Sequence, residues 1–161
     1  RRGENFVTRK ITRGLTRIDK NLQDTISLGN IDSLRDWGHA KDYVEMQWKI
    51  LQRKKPKDYV IATGKTTSVR EFVNLCCKYL NLKIKWYGKG INEKAYLIDG
   101  KKKELLIKVD KKYYRPLEID YLRGDPRKAF KELKYKLKNN LNDLIKDMID
   151  SDIELAKKNK I

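Results

Sequence analysis

Histidine occurs once and cysteine twice in 161 residues, and no long apolar run is present. Cys76 and Cys77 are adjacent within a helical pattern, where neighbours point about 100° apart. A mutual disulfide or a metal pair is therefore not expected, and one or both read as small core residues kept reduced. His39 stands at the start of an amphipathic helix and reads as a residue that fixes local hydrogen bonds, not one that transfers protons. No window approaches the roughly 18 apolar residues needed to span a bilayer, and Arg1-Arg2-Gly3-Glu4 has no apolar stretch of a signal peptide. A cytoplasmic protein that does not enter a membrane is the expectation. Internal repeats and low-complexity linkers are lacking as well.

Apolar residues make up 39% of the chain and charged residues 38%, a composition that argues for a packed domain and against wholesale disorder. The net charge of +17 is extreme and in an isolated domain suggests a polyanion as partner. Its distribution points elsewhere. Lysines outnumber arginines by 28 to 11 and are dispersed, in Arg53-Lys54-Lys55, Lys101-Lys102-Lys103 and the last helix. Arginines are dense only near the start, at Arg1, Arg2, Arg9, Arg13 and Arg17. That cluster suits phosphate, because guanidinium forks bind phosphate oxygens bidentately.

Phe6, Ile11, Leu15 and Ile18 predict a helix over about 5–20. Thr25 to Asn30 reads as a strand closed by a turn, followed by a loop to Trp37. Tyr43, Val44, Trp48 and Leu51 then define an apolar helical stripe after Ala40. Asp58 to Gly64 has the β-branched character of a buried parallel strand. Ser68 precedes Glu71 by three, the spacing of a capping box, and Val69, Phe72, Val73, Cys76, Cys77 and Leu80 continue as an amphipathic helix. Lys83 to Tyr87 and Glu104 to Val109 read as two strands of a small peripheral β-element, across a turn at Asp99 to Lys103. Asp125-Pro126 opens a short helix through about Leu133. Leu141, Leu144, Ile145, Met148, Ile149 and Ile153 mark the closing helix. Trp37, Trp48 and Trp86 are expected in packing, not as platforms for bases.

The alternation up to Leu80 suggests the second half of an α/β sheet, with a smaller mixed lobe after it. Only about two sheet strands, at 26–28 and 59–62, are then available to three long amphipathic helices. Further strands are expected to precede Arg1.

Arg35-Asp36-Trp37-Gly38-His39-Ala40-Lys41-Asp42-Tyr43-Val44 resembles a segment of extended short-chain dehydrogenase/reductases that act on nucleotide sugars. Arg1-Arg2-Gly3 with Phe6-Val7-Thr8-Arg9-Lys10-Ile11, the stretch Tyr59 to Gly64, Ser68-Val69-Arg70-Glu71-Phe72, and Tyr114-Arg115-Pro116-Leu117-Glu118 all resemble GDP-mannose 4,6-dehydratases. Five motifs in one order cover nearly the whole chain. The resemblance implies the carboxy-terminal portion of a Rossmann-type α/β fold with a smaller mixed α/β substrate-binding lobe. On this reading 1–80 holds the last part of the Rossmann-like domain interleaved with substrate-binding segments, and 81–161 is mostly that lobe and the closing helices.

It further implies a lyase step in GDP-fucose biosynthesis, loss of water from GDP-mannose, with NADP carrying the internal oxidation and reduction. The family's glycine-rich turn, Thr-x-Glu pair and Tyr-x-x-x-Lys lie upstream of its Arg-Arg-Gly motif and have no counterpart here. No catalytic residue is assigned, and this segment alone is expected to be inactive. What remains is binding. By resemblance Lys10, Arg35 and Arg115 are the cations for the diphosphate, Glu118 accepts from guanine or ribose, and Val7 and Thr8 line the nucleotide pocket. Leu28 and Gly29 bring strand backbone against the nucleotide, and Arg2 contacts NADP. No metal is implied. Homodimers or homotetramers are expected of the full-length protein, without nucleic acid or membrane as partner. The chain departs from the family pattern at Leu34, where some members have lysine, and over Leu133 to Leu137. Two other readings compete: a GDP-sugar reductase or epimerase of the same superfamily, and a basic nucleic-acid-binding module.

Overall fold

The computed structural model describes residues 3–114 and 119–158. Helix α1 (Val7–Asp19) buries Ile11 and Leu15 on one face, together with Thr8, Thr12 and Thr16. A Cβ on Gly14 would lie 2.7 Å from the Ile26 side chain, so the helix rests directly on strand β1 (Ile26–Leu28). Strand β2 (Leu34–Arg35) and helix α2 (Ala40–Leu51) follow, then β3 (Thr67–Ser68) and α3 (Val69–Tyr79). Strands β4 (Ile84–Tyr87), β5 (Lys94–Asp99) and β6 (Lys102–Val109) form a meander, β7 (Tyr121–Leu122) is short, and α4 (Arg127–Leu133) and α5 (Leu141–Lys157) complete the order.

Two sheets organise these elements. One has the order β1-β6-β5-β4, with β1 parallel to β6 in the register Ile26 to Ile107 and Leu28 to Val109, and the rest antiparallel. The other has the order β3-β2-β7, with β2 antiparallel to β3 and parallel to β7. Helices α1, α3 and α5 pack on one another and share the main core with the first sheet: Ile11, Phe72, Val73, Cys76, Cys77, Ile107 and Ile149 are all buried there. A buried ion pair, Arg9 with Asp152, ties α1 to α5.

This corrects the view of 83–109 as peripheral. Ala95, Leu106, Ile107 and Val109 belong to the main core, and β5 was not anticipated, because its apolar residues are set between Lys94 and Asp99 without a clean period. The sheet gives α1, α3 and α5 a surface on which to bury their apolar faces within this chain. The expected strand at 59–62, by contrast, forms no ladder. Tyr59 and Ile61 pack against a second, smaller core of Met46, Ala129, Leu133 and Tyr135, but a β-rich composition makes a strand only where a partner strand pairs with it.

Helix α2 turns a different face inward than its pattern suggests. Val44, Trp48 and Leu51 are 62%, 59% and 79% exposed, whereas Asp42 and Met46 are buried. The reason is a polar anchor. Asp42 accepts from the Tyr135 hydroxyl at 2.6 Å, from the Lys138 and Asn139 amides at 3.0 Å each, and from Asn139 Nδ2 at 3.1 Å. A carboxylate so saturated fixes the helix's rotation more firmly than three apolar side chains. Trp48 is thus not a packing residue, while Trp37 lies 4.9 Å from the Phe72 ring and Trp86 donates to Asn74. No helix among the described residues is long and apolar enough to cross a membrane.

Candidate functional site

The first turn of α1, the end of β1, strand β2 and the 3-10 turn Lys111–Tyr113 enclose a cleft of about 420 Å³. Val7 and Lys10 face it from α1, Leu28 and Gly29 from the end of β1, and Arg35 from β2. Helical spacing explains the pair on α1, since residues three apart share a face. Thr8 is turned away. It is buried and lines a separate cavity of about 570 Å³ beside Trp37, His39, Tyr43 and Met148. Arg2, Arg115 and Glu118 lie outside the described residues. The structure thus brings five of the nine sequence-derived binding positions to one cleft, and Thr8 to another.

Charge around the cleft has one dominant sign. The Lys10 ammonium sits 3.4 Å from the centre of the Tyr113 ring, a cation–π contact, and is half-buried. Burial holds its pKa below the usual lysine range; Asp110 pulls it up and Lys112 pushes it down. Arg35 Nη1 donates to the Leu34 carbonyl at 2.9 Å and to the Asp120 carbonyl at 3.4 Å, which fixes the guanidinium beside β2. Helix α1 adds its amino end: it has no side-chain cap and no acidic residue in its first turn, so no side chain of that turn offsets its partial positive charge.

Each residue around Arg35 has a local task. Asp36 accepts from the Thr63 amide at 2.9 Å, the Thr63 hydroxyl at 2.5 Å and the Gly64 amide at 2.8 Å. Gly64 has a φ of +76°, a conformation that suits glycine. His39 caps α2, its Nδ1 accepting from the Lys41 amide at 3.2 Å. Gly29 permits a main-chain approach, for a Cβ there would lie 2.1 Å from the Tyr113 carbonyl oxygen. Tyr113 lines the cleft, and the Asp120 carbonyl meets Arg35.

The sequence reading missed Ser33, Lys112 and Tyr113, which also line the cleft. Lys112 was hidden in a lysine-rich chain and Tyr113 carried no partner motif. Ser33 is 2% exposed, and its Oγ has no hydrogen-bond partner among the described residues. No group of three or more potential metal ligands occurs among the described residues.

Known proteins agree with the fold and define the lineage. By structure, RMD from Pseudomonas aeruginosa complexed with NADPH is similar over 95% of this chain and 44% of that one, at a TM-score of 0.75 and 17% identity. UDP-glucose-4-epimerase from Stenotrophomonas maltophila, with bound NAD, gives a TM-score of 0.68 at 13% identity over 96% and 41% of the two chains. By sequence, GDP-mannose 4,6 dehydratase of Drosophila melanogaster is 49% identical over 100% of this chain and 40% of its own length. The enzyme of that name from Homo sapiens is 46% identical over 99% and 42%. The chain therefore spans well under half the length of these relatives. Residues 1–148 match the family model described as GDP-mannose 4,6 dehydratase, and the chain belongs to that family.

Proposed function

We propose that this chain supplies nucleotide-sugar binding to a GDP-mannose 4,6-dehydratase, the hydro-lyase that converts GDP-mannose to GDP-4-keto-6-deoxymannose. The convergence of Lys10 and Arg35 on one cleft, at the uncapped amino end of α1, carries this reading. A diphosphate brings roughly two negative charges and needs convergent cations in a site partly shielded from water. Lys10 is suited to this: an anion arriving beside it restores the stability of an ammonium that burial has weakened. Arg35, braced on two backbone carbonyls, is already oriented and loses little freedom on binding. Leu28 and Gly29 offer backbone to the nucleotide, and Val7 an apolar wall. Arg115 and Glu118 complete the set from outside the described residues, and Thr8 acts from the neighbouring cavity.

The cofactor on this reading is NADP, with Arg2 as its contact on this chain. Arg2 lies outside the described residues, so the chemistry derived for these residues is binding alone. The protein acts in the cytoplasm as a homodimer or homotetramer, and residues 1–161 by themselves turn over no substrate.

Calorimetric titration of the complete protein with GDP tests the proposal. Lys10→Ala and Arg35→Ala should each cost about 1.5–3 kcal/mol, the range for hydrogen bonds to charged groups. Unchanged affinity in both variants would remove the cleft from the site. Binding to DNA that falls steeply with salt, alongside indifference to GDP, would favour the nucleic-acid reading instead.

A further inference from the structure

We propose that Ser33 is a positioning residue of this cleft, its hydroxyl donating a hydrogen bond to a phosphate oxygen of the ligand held between Lys10 and Arg35; this rests on the reading given under Proposed function. Ser33 lies two residues before Arg35, in the connection between β1 and β2, and lines the same cleft. Its backbone is fixed, because its carbonyl accepts from the Val69 amide at 3.2 Å where α3 begins. Its side chain is almost fully buried, yet Oγ has no hydrogen-bond partner among the described residues.

A hydroxyl offers one donor and two acceptor positions. Burying it with none of them used is unfavourable relative to alanine, which would fill nearly the same space. The structure therefore holds a polar group whose partner arrives from elsewhere. Among the described residues no group bonds to Oγ, the carboxylates of Asp110 and Asp120 included. Lys10, Lys112, Arg35 and the amino end of α1 all surround the cleft with positive charge, so the arriving oxygen is anionic. Toward such an oxygen a hydroxyl can only donate. Ser33 then adds direction to what the cations supply as attraction, because a hydroxyl hydrogen bond is more sensitive to angle than a lysine charge is.

The test compares the complete protein with Ser33→Ala by calorimetric titration with GDP and by thermal unfolding without ligand. The expected result is a five- to tenfold loss of affinity, about the worth of one such hydrogen bond, with a midpoint that stays the same or rises as the orphan oxygen is removed. Equal affinity in the two proteins would overturn the assignment, and so would a loss accompanied by a lower midpoint, which marks a structural role. Should the unsubstituted protein itself fail to bind GDP, the parent reading falls and takes this one with it. Equal binding by both proteins removes Ser33 alone.

Discussion

Asp152 has no measurable exposure and faces Arg9, itself nearly buried, across the α1–α5 contact. Two charges taken out of water hold each other at a high desolvation cost, so the pair is stable only as a pair. Asp152→Ala should destabilise the protein by about 3–5 kcal/mol in urea unfolding, because it removes one partner of a buried ion pair. The double change Arg9→Met with Asp152→Leu should recover most of that loss. Cys76 and Cys77 follow the opposite logic, since each is neutral when buried. Burial pushes the Cys77 thiol up to about 12 and Cys76 well above the usual value. Neither should react with iodoacetamide near pH 8 until the protein is unfolded, as mass spectrometry would record. Their folded values exceed the unfolded value of about 8.5, so their stabilisation is complete below that pH and is lost as pH rises toward the folded values. The sequence revealed these thiols as core residues because their helical period places them with Phe72 and Val73. It could not reveal Ser33, whose interest lies only in being buried at a cleft that the fold completes with Lys10, far from it in sequence.

Among the elements, the motifs that marked the family prove to be largely architectural. In Ser68-Val69-Arg70-Glu71-Phe72, Ser68 caps α3 by accepting from the Glu71 amide at 3.0 Å. Arg70 clamps Asp32 at 2.7 Å and also Glu93, while stacking on Trp86 at 4.9 Å. Phe72 sits in the core. Helices α1, α3 and α5 were legible because each carries one dominant apolar face. The α2 stripe misled because the rotation of that helix is set by Asp42, and a single buried carboxylate leaves no periodic trace. Asp42→Ala should cost about 1–3 kcal/mol in chemical denaturation, since it strands the donors of Tyr135, Lys138 and Asn139. Although burial opposes it, hydrogen bonding holds the Asp42 pKa below its ordinary value, with Tyr135 the largest contributor. The stabilisation is therefore present above the unfolded value of about 3.9 and is lost as pH falls through the folded one. The difference between the two proteins should narrow correspondingly in acid.

At the level of the whole molecule, the four-stranded sheet draws β1 from the first part of the chain and β4, β5 and β6 from the later part, so one core crosses residue 80. Sequence order did not disclose this, because the parallel pairing of β1 with β6 joins residues about eighty apart. The surface that remains is uneven. Val44, Trp48 and Leu51 lie at successive turns of α2 with their side chains largely in solvent. Acrylamide should quench Trp48 readily and the half-buried Trp37 and Trp86 poorly; Trp48→Phe should abolish most of the quenchable emission. Equal quenching in the variant would mean that α2 is rotated from the orientation described.

The near-contact of Gly29 with the Tyr113 carbonyl sets the aperture of the charged cleft without any side chain. A methyl group there would act as a wedge, pushing Tyr113 from the strand while removing no charge. Attraction and fit are thus separable in this protein: one hydrogen atom, not a cation, defines how closely the two walls can gather around a guest.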